Sequence, residues 1–134
     1  MIIGIDPGAR RIGVAVADTE TRFARPLEVI DTKSTDAVSR IVDLIEELGA
    51  ERIVVGRPVS LSGVAGAAVA KQQELVIGLR AACDVEVVEY DERLTTVIAD
   101  QALRAAGKNA KNSKSIRDAV AAQILLQGYM DATR

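Results

Sequence analysis

The first eighteen residues, Met1-Ile2-Ile3-Gly4-Ile5-Asp6-Pro7-Gly8-Ala9-Arg10-Arg11-Ile12-Gly13-Val14-Ala15-Val16-Ala17-Asp18, constrain the fold more than any other stretch. They read as two apolar strands joined at Pro7-Gly8, a pair that bends the chain sharply. Ile2, Ile3 and Ile5 form a nearly continuous apolar run, the pattern of a strand covered on both faces. Asp6 ends that run. A carboxylate beside a buried strand is costly unless donors or a cation compensate it, although Asp before Pro-Gly is also ordinary turn chemistry. Gly4 and Gly13, lacking side chains, admit another backbone or a ligand at close range.

A polar turn at Thr19-Glu20-Thr21-Arg22 leads to a third strand near Phe23 to Ile30, with Pro26 marking an edge position. Residues 36–48 space Val38, Ile41, Val42, Ile45 and Leu48 as one helical face, and Gly49 follows as a stop. Arg52-Ile53-Val54-Val55-Gly56 is a short buried strand. A loop with Pro58, Gly63 and Gly66 precedes a helix from about Ala67 to Ala82, and Val85 to Tyr90 alternates as a strand does. Asp91-Glu92-Arg93-Leu94-Thr95-Thr96 then leads into a helix ending at Ala106-Gly107. A basic loop from Lys108 to Lys114 precedes a last helix, Ser115 to about Asp131. Strands alternating with helices imply right-handed crossovers and parallel pairing. The expected fold is α/β: one domain over 1–134, a mixed five-stranded sheet (three antiparallel strands, then parallel ones) with helices on both faces and the first strand near the middle.

Histidine is absent, which excludes Ser-His-Asp and Cys-His catalysis and any His-ligated metal. Acid–base or metal chemistry must therefore rest mainly on carboxylates. Cys83 is the only cysteine, so no intrachain disulfide forms, as suits a reducing compartment. No apolar run is long enough for a membrane span, and the N-terminus lacks a signal-peptide pattern, so a cytoplasmic protein with no membrane partner is expected. The net charge of -2 argues against non-specific polyanion binding, though not against a local basic patch. With only Phe23, Tyr90 and Tyr129 as aromatics, base stacking is not a main recognition mode.

In a sheet of this kind, ligand sites form at the carboxyl ends of the parallel strands. Asp6 ends the first strand, Asp91-Glu92 end the last, and Asp118 near the start of the last helix can reach the same rim. Taken singly, each has a plain structural explanation: Ser115-Ile116-Arg117-Asp118 matches a capping box, and Asp91-Glu92 read as solvated loop residues beside Arg93. Together they carry more weight, because two like charges about 4 Å apart repel by roughly 4 kcal/mol at an effective dielectric near 20. Converging acids must raise their pKa values or bind a cation. Hard oxygen ligands suit Mg²⁺ or Mn²⁺, and two such ions support phosphodiester cleavage. Basic residues flank the acids: Arg10 and Arg11 follow Asp6, and Arg104, Lys108, Lys111, Lys114 and Arg117 occupy 101–117 without an acidic residue. That arrangement suits a phosphate backbone.

Gly4-Ile5-Asp6-Pro7-Gly8 with Arg11-Ile12-Gly13-Val14-Ala15-Val16, Val55-Gly56-Arg57-Pro58 with Gly63, Asp91-Glu92-Arg93-Leu94-Thr95-Thr96, and Asp118 ahead of Ala121-Ala122 resemble, collinearly and over nearly the whole chain, the YqgF/RuvX family. The opening is also similar to RuvC-type Holliday junction resolvases. The resemblance implies a ribonuclease H-like fold, a cytoplasmic bacterial protein, and either Holliday junction resolution or trimming of the 5′ end of the small-subunit ribosomal RNA precursor. Carried over by position, Asp6, Glu92 and Asp118 are its metal-binding acids, with Asp91 substituting for or assisting Glu92. Arg11, Arg93 and Thr95 are its candidates for positioning the phosphate. Pro7, Ala9 and the loop Val59-Ser60-Leu61-Ser62-Gly63-Val64 depart from the family's pattern, which bears on polar contacts from that loop and not on the acidic centre.

The expectation is thus a Mg²⁺- or Mn²⁺-dependent endonuclease on branched DNA or precursor rRNA, acting as a monomer or homodimer. A non-catalytic nucleic-acid or ribosome-associated module is the alternative, separable by metal-stimulated strand scission. Nucleotide binding of the actin-like type needs two such domains, and 134 residues suffice for one.

Overall fold

The apolar opening builds the middle of the sheet. In a computed structural model, which describes residues 1–8, 10–57, 66–91 and 113–133, strands β1 (Ile2–Pro7), β2 (Arg11–Ala17) and β3 (Ala24–Asp31) form an antiparallel meander. Helix α1 (Ala37–Leu48), β4 (Arg52–Arg57), α2 (Gly66–Ala82), β5 (Glu86–Asp91) and α3 (Ser113–Ala132) follow. The sheet order is β3-β2-β1-β4-β5, with β1 parallel to β4 and β4 parallel to β5. β1 is therefore central, and Pro26 lies on edge strand β3 as expected. No helix among the described residues is long and apolar enough to cross a membrane.

Strand alternation divides the core into two layers. Ile3, Ile5, Ile12, Val14, Ile53, Val55 and Val87 pack against Ile41, Leu44 and Ile45 of α1 and Leu75, Val76 and Leu79 of α2. On the other face, Ile2, Ala15, Ala17 and Val54 meet Ala122, Leu126, Tyr129 and Met130 of α3. Each fully buried aliphatic contributes about 1.5–3 kcal/mol, so both layers are held chiefly by apolar burial. Tyr90 and Tyr129 add an edge-to-face contact with ring centroids 5.9 Å apart, and Arg52 Nη1 donates to the Tyr129 hydroxyl at 3.0 Å.

Helix termini follow local chemistry. Asp36 caps α1, its carboxylate accepting from the Ser39 amide at 3.1 Å and the Ser39 hydroxyl at 2.6 Å. Gly49 closes α1 at φ 64°, in the left-handed region that glycine adopts without a Cβ penalty. At α3 the sequence expectation is corrected. The helix starts at Ser113, so Ser115 lies inside it and does not cap it, and Lys114, expected in a loop, has helical backbone. The expected helix before Gly107, the loop at 108–112 and the loop after Pro58 lie outside the described residues.

One buried polar cluster joins α2 to β5. Gln72 is fully buried, and its Nε2 donates to Glu89 Oε1 at 2.9 Å, while Gln73 Nε2 donates to the same oxygen at 2.7 Å. The hydrogen bond from Gln72 is the largest influence holding the Glu89 carboxyl below the usual carboxylate range, helped by Gln73, Arg57 and Arg80 and opposed by burial. A carboxyl whose pKa falls on folding stabilises the fold above its unfolded value and loses that contribution as pH drops through the folded one. Gln72→Leu is therefore expected to cost about 1–3 kcal/mol at neutral pH. The gap from wild type should narrow as the pH falls below the usual carboxylate range and through the lowered value Glu89 has in the fold. Urea unfolding at pH 7 and in acid checks this, and a gap independent of pH would refute the assignment.

Candidate active site

β1 carries alternate residues Ile2, Gly4 and Asp6 toward α3, with Asp6 half-buried near its carboxyl end. Asp6 pairs with Gly13 on β2, and antiparallel neighbours of this kind sit about 5 Å apart. Gly13 is where α3 touches down. A Cβ at that position would lie 2.0 Å from the backbone oxygen of Asp118 and 2.6 Å from its carbonyl carbon. At Gly4 an added Cβ would lie 2.7 Å from Leu126 Cβ. The two glycines let α3 lie close on the sheet, running antiparallel to β1, with Asp118 beside the Asp6–Gly13 pair. Two acids far apart in sequence share one face and one edge of the sheet.

Asp91 lies at the same edge, as the last residue of β5, where it is exposed and pairs in register with Arg57. Alternation gives it the side of Val87 and Glu89, which faces α2, opposite the side of Asp6. Glu92, Arg93, Thr95, Lys108 and Lys111 lie outside the described residues, and Lys114 is described by its helical backbone only. Among the described residues no three acidic or thiol groups come together as a ready cation cage. The donor chemistry nevertheless fits a hard divalent ion, because the backbone of Asp118 seats on Gly13 beside Asp6, both residues carry hard carboxylate oxygens, and histidine is absent throughout.

The two arginines after the turn differ. Arg10 is exposed, its Nη2 3.8 Å from the Asp31 carboxylate, an ion pair of small value at a wet surface. Its carbonyl accepts from the Thr32 amide and hydroxyl, both at 2.8 Å, which ties the turn to the end of β3. Arg11 opens β2 on the side of Gly13, Ala15 and Ala17, toward α3. Its Nη1 is buried without a hydrogen-bond partner. Buried donors are nearly always satisfied, so a cation at this edge with a free donor is suited to an anion.

Sequence patterning did not single out Gln72, Gln123 or Gln127. The last two are spaced four apart on a helix that otherwise buries Ala122, Leu125, Leu126 and Met130, and that spacing was the available signal.

The close approach at Gly13 has a measurable cost if blocked. Gly13→Ala should destabilise the fold by about 1–3 kcal/mol, because the backbone of α3 must retreat. Gly128 on the same helix is the control. A Cβ there would meet nothing nearer than the Tyr90 hydroxyl at 3.6 Å, so Gly128→Ala should be neutral or stabilising by up to about 1 kcal/mol. Thermal melts of the two variants distinguish them; equal effects would contradict the packing described.

Against known proteins, the family model described as "RuvX: Holliday junction resolvase" matches residues 1–132. A protein of Chloroflexus aggregans named "Putative pre-16S rRNA nuclease" is 43% identical over 134 residues, covering 99% of this chain and 94% of that protein. One of the same name from Leifsonia xyli subsp. xyli is 42% identical, covering 98% and 86%. Among solved structures, Thermus thermophilus RuvC in complex with Holliday junction substrate aligns with TM-score 0.60 at 21% identity, covering 98% of this chain and 93% of the other. The fowlpox virus Holliday junction resolvase bound to junction DNA aligns with TM-score 0.55 at 9% identity, covering 98% and 97%. The fold is ribonuclease H-like.

Proposed function

Because the chain belongs to the RuvX family of Holliday junction resolvases, we propose that it is a nuclease hydrolysing phosphodiester bonds in structured nucleic acid, with a divalent metal as cofactor. The substrate is the 5′ end of the 16S rRNA precursor or a four-way DNA junction. The observation that carries this reading is the seating of Asp118 on Gly13, the cross-strand partner of Asp6.

Asp6 and Asp118 hold the cation, Mg²⁺ or Mn²⁺, with Glu92 as the third acid. Asp91 lies on the α2-facing side of β5, which favours Glu92 over Asp91 for that role. When bound, such ions ease formation of the attacking hydroxide and offset charge on the leaving oxygen. The protein's own contribution is placement and charge. Asp6 at a strand end and the Asp118 backbone seated on Gly13 support this placement. Arg11 offers its buried, unpaired Nη1 to a phosphate oxygen of the substrate backbone. Arg10, Arg93, Lys108, Lys111 and Lys114 supply further positive charge for the substrate backbone, and Thr95 supplies a neutral hydroxyl donor. With two of the three aromatics, Tyr90 and Tyr129, engaged in packing, recognition rests on backbone shape and charge, which branched DNA and folded RNA both offer.

Asp6→Asn should lower cleavage of precursor rRNA or junction DNA by more than about a hundredfold, the scale of removing one preorganised electrostatic group, while nucleic-acid binding survives. Assays on both substrates in parallel, with Mg²⁺ and with Mn²⁺, test this, and wild-type rates in the variant would refute the acidic centre. Binding without metal-stimulated scission on any substrate would identify a non-catalytic module. Arg11→Met should weaken binding and reduce the salt slope of log K by about one phosphate contact. An unchanged slope would remove Arg11 from the interface.

A further inference from the structure

The far end of α3 carries a polar clamp that the chemistry above does not use. Gln127 Oε1 accepts from the Ala24 amide at 2.9 Å, and Gln127 Nε2 donates to the Arg22 carbonyl at 2.9 Å and to Asp131 Oδ1 at 3.1 Å. One turn earlier, Gln123 Nε2 donates to the Ala24 carbonyl at 3.2 Å. Both backbone polar groups of Ala24, the first residue of β3, are thus engaged by glutamine side chains of α3. Arg22 reaches back the other way, its guanidinium donating to the Met130 carbonyl near the C-terminus of the helix. Arg22 is also the only non-glycine among the described residues with positive φ, at 62°. A side chain held in that conformation is strained and persists only where its surroundings over-determine it.

We propose that Gln127, Gln123 and Arg22 are positioning residues that set where α3 sits along its own axis, and thereby hold Asp118 over Gly13 beside Asp6. This rests on the reading of Asp6 and Asp118 as the acidic centre. Alongside Ile2 and Val54, the sheet beneath α3 presents the small residues Gly4, Gly13, Ala15 and Ala17. Such a surface permits a close approach but offers little relief to oppose sliding. Apolar burial is non-directional, whereas hydrogen bonds fail beyond narrow limits of distance and angle. The clamp therefore adds a directional axial register to what that packing supplies. A helix rises about 1.5 Å per residue, so the clamp at Gln127 acts on Asp118 through about 14 Å of continuous helix. A slip of one turn, about 5.4 Å, would carry Asp118 off the Asp6–Gly13 pair.

The test uses the full chain with Gln127→Met, which removes both hydrogen bonds to the β2–β3 turn at nearly constant volume, and Gln123→Met as a milder second variant. Mn²⁺ binding is measured directly by electron paramagnetic resonance without nucleic acid, and backbone amide resonances are recorded by NMR. Gln127→Met should weaken Mn²⁺ binding by roughly tenfold, within the range for groups that orient metal ligands, with Gln123→Met intermediate. The amide resonances of Gly13 and Asp118 should move although both lie far from the substitution. A purely structural clamp would lower the melting temperature and disturb only resonances around 22–24 and 127. Wild-type Mn²⁺ affinity in a folded Gln127→Met variant overturns the proposal and leaves the acidic centre standing. Absence of Mn²⁺ binding in the wild type sinks the acidic centre instead. The register claim is then decided by the Gly13 and Asp118 resonances, and if they do not move it is wrong as well.

Discussion

Helix α3 rests on the sheet at Gly4, through the Leu126 side chain, and at Gly13, through its own backbone, and nearly everything of interest in this molecule depends on how close that contact is. A side chain at either position would occupy space already taken by Leu126 or by the Asp118 carbonyl. The contact does two things at once. It buries Ala122, Leu126, Tyr129 and Met130 against the central strands, and it seats the backbone of Asp118, late in the sequence, on the cross-strand partner of Asp6.

The two faces of the sheet differ in what they bury. Under α1 and α2 the layer is thick with isoleucine, leucine and valine, and its one fully buried polar side chain among the described residues, Gln72, is matched by Glu89. Under α3 the strands present glycine and alanine beside Ile2 and Val54, with Asp6 near the carboxyl end of the central strand. The large-residue layer holds the Glu89 carboxylate only with the amide hydrogen bonds of Gln72 and Gln73, while a thin layer with small residues lets polar groups reach the rim of the sheet and water. The acidic pair and the unpaired Arg11 Nη1 therefore belong to the α3 face. Opposite charges at one edge suit a substrate that is itself a polyanion, since the acids alone would repel it and the arginine alone would not concentrate a cation.

Much of this was legible in the residues. The run Ile2, Ile3, Ile5 announced a central strand because only a strand covered on both faces can bury consecutive isoleucines. Pro26 announced an edge because it has no amide to donate to a neighbour. Asp36 and Gly49 bracket α1 through capping chemistry confined to a few residues. Where local signals misled, the reason is also physical. Ser115-x-x-Asp118 has the form of a capping box, yet the helix begins at Ser113, so the same residues lie within it.

Composition and order alone determined the class of fold, the dependence on carboxylates in a chain without histidine, and the candidates Asp6, Asp91, Glu92 and Asp118. These follow from periodicity and side-chain chemistry, which are properties of short stretches. Tertiary structure decided that Asp6 and Asp91 occupy opposite faces, that Gly13 receives the Asp118 backbone, and that Arg10 is tied to Asp31 while Arg11 keeps a free donor. It alone revealed Gln123 and Gln127 clasping the turn before β3. Such facts depend on contacts between segments about a hundred residues apart, and no local pattern encodes the distance at which two elements come to rest.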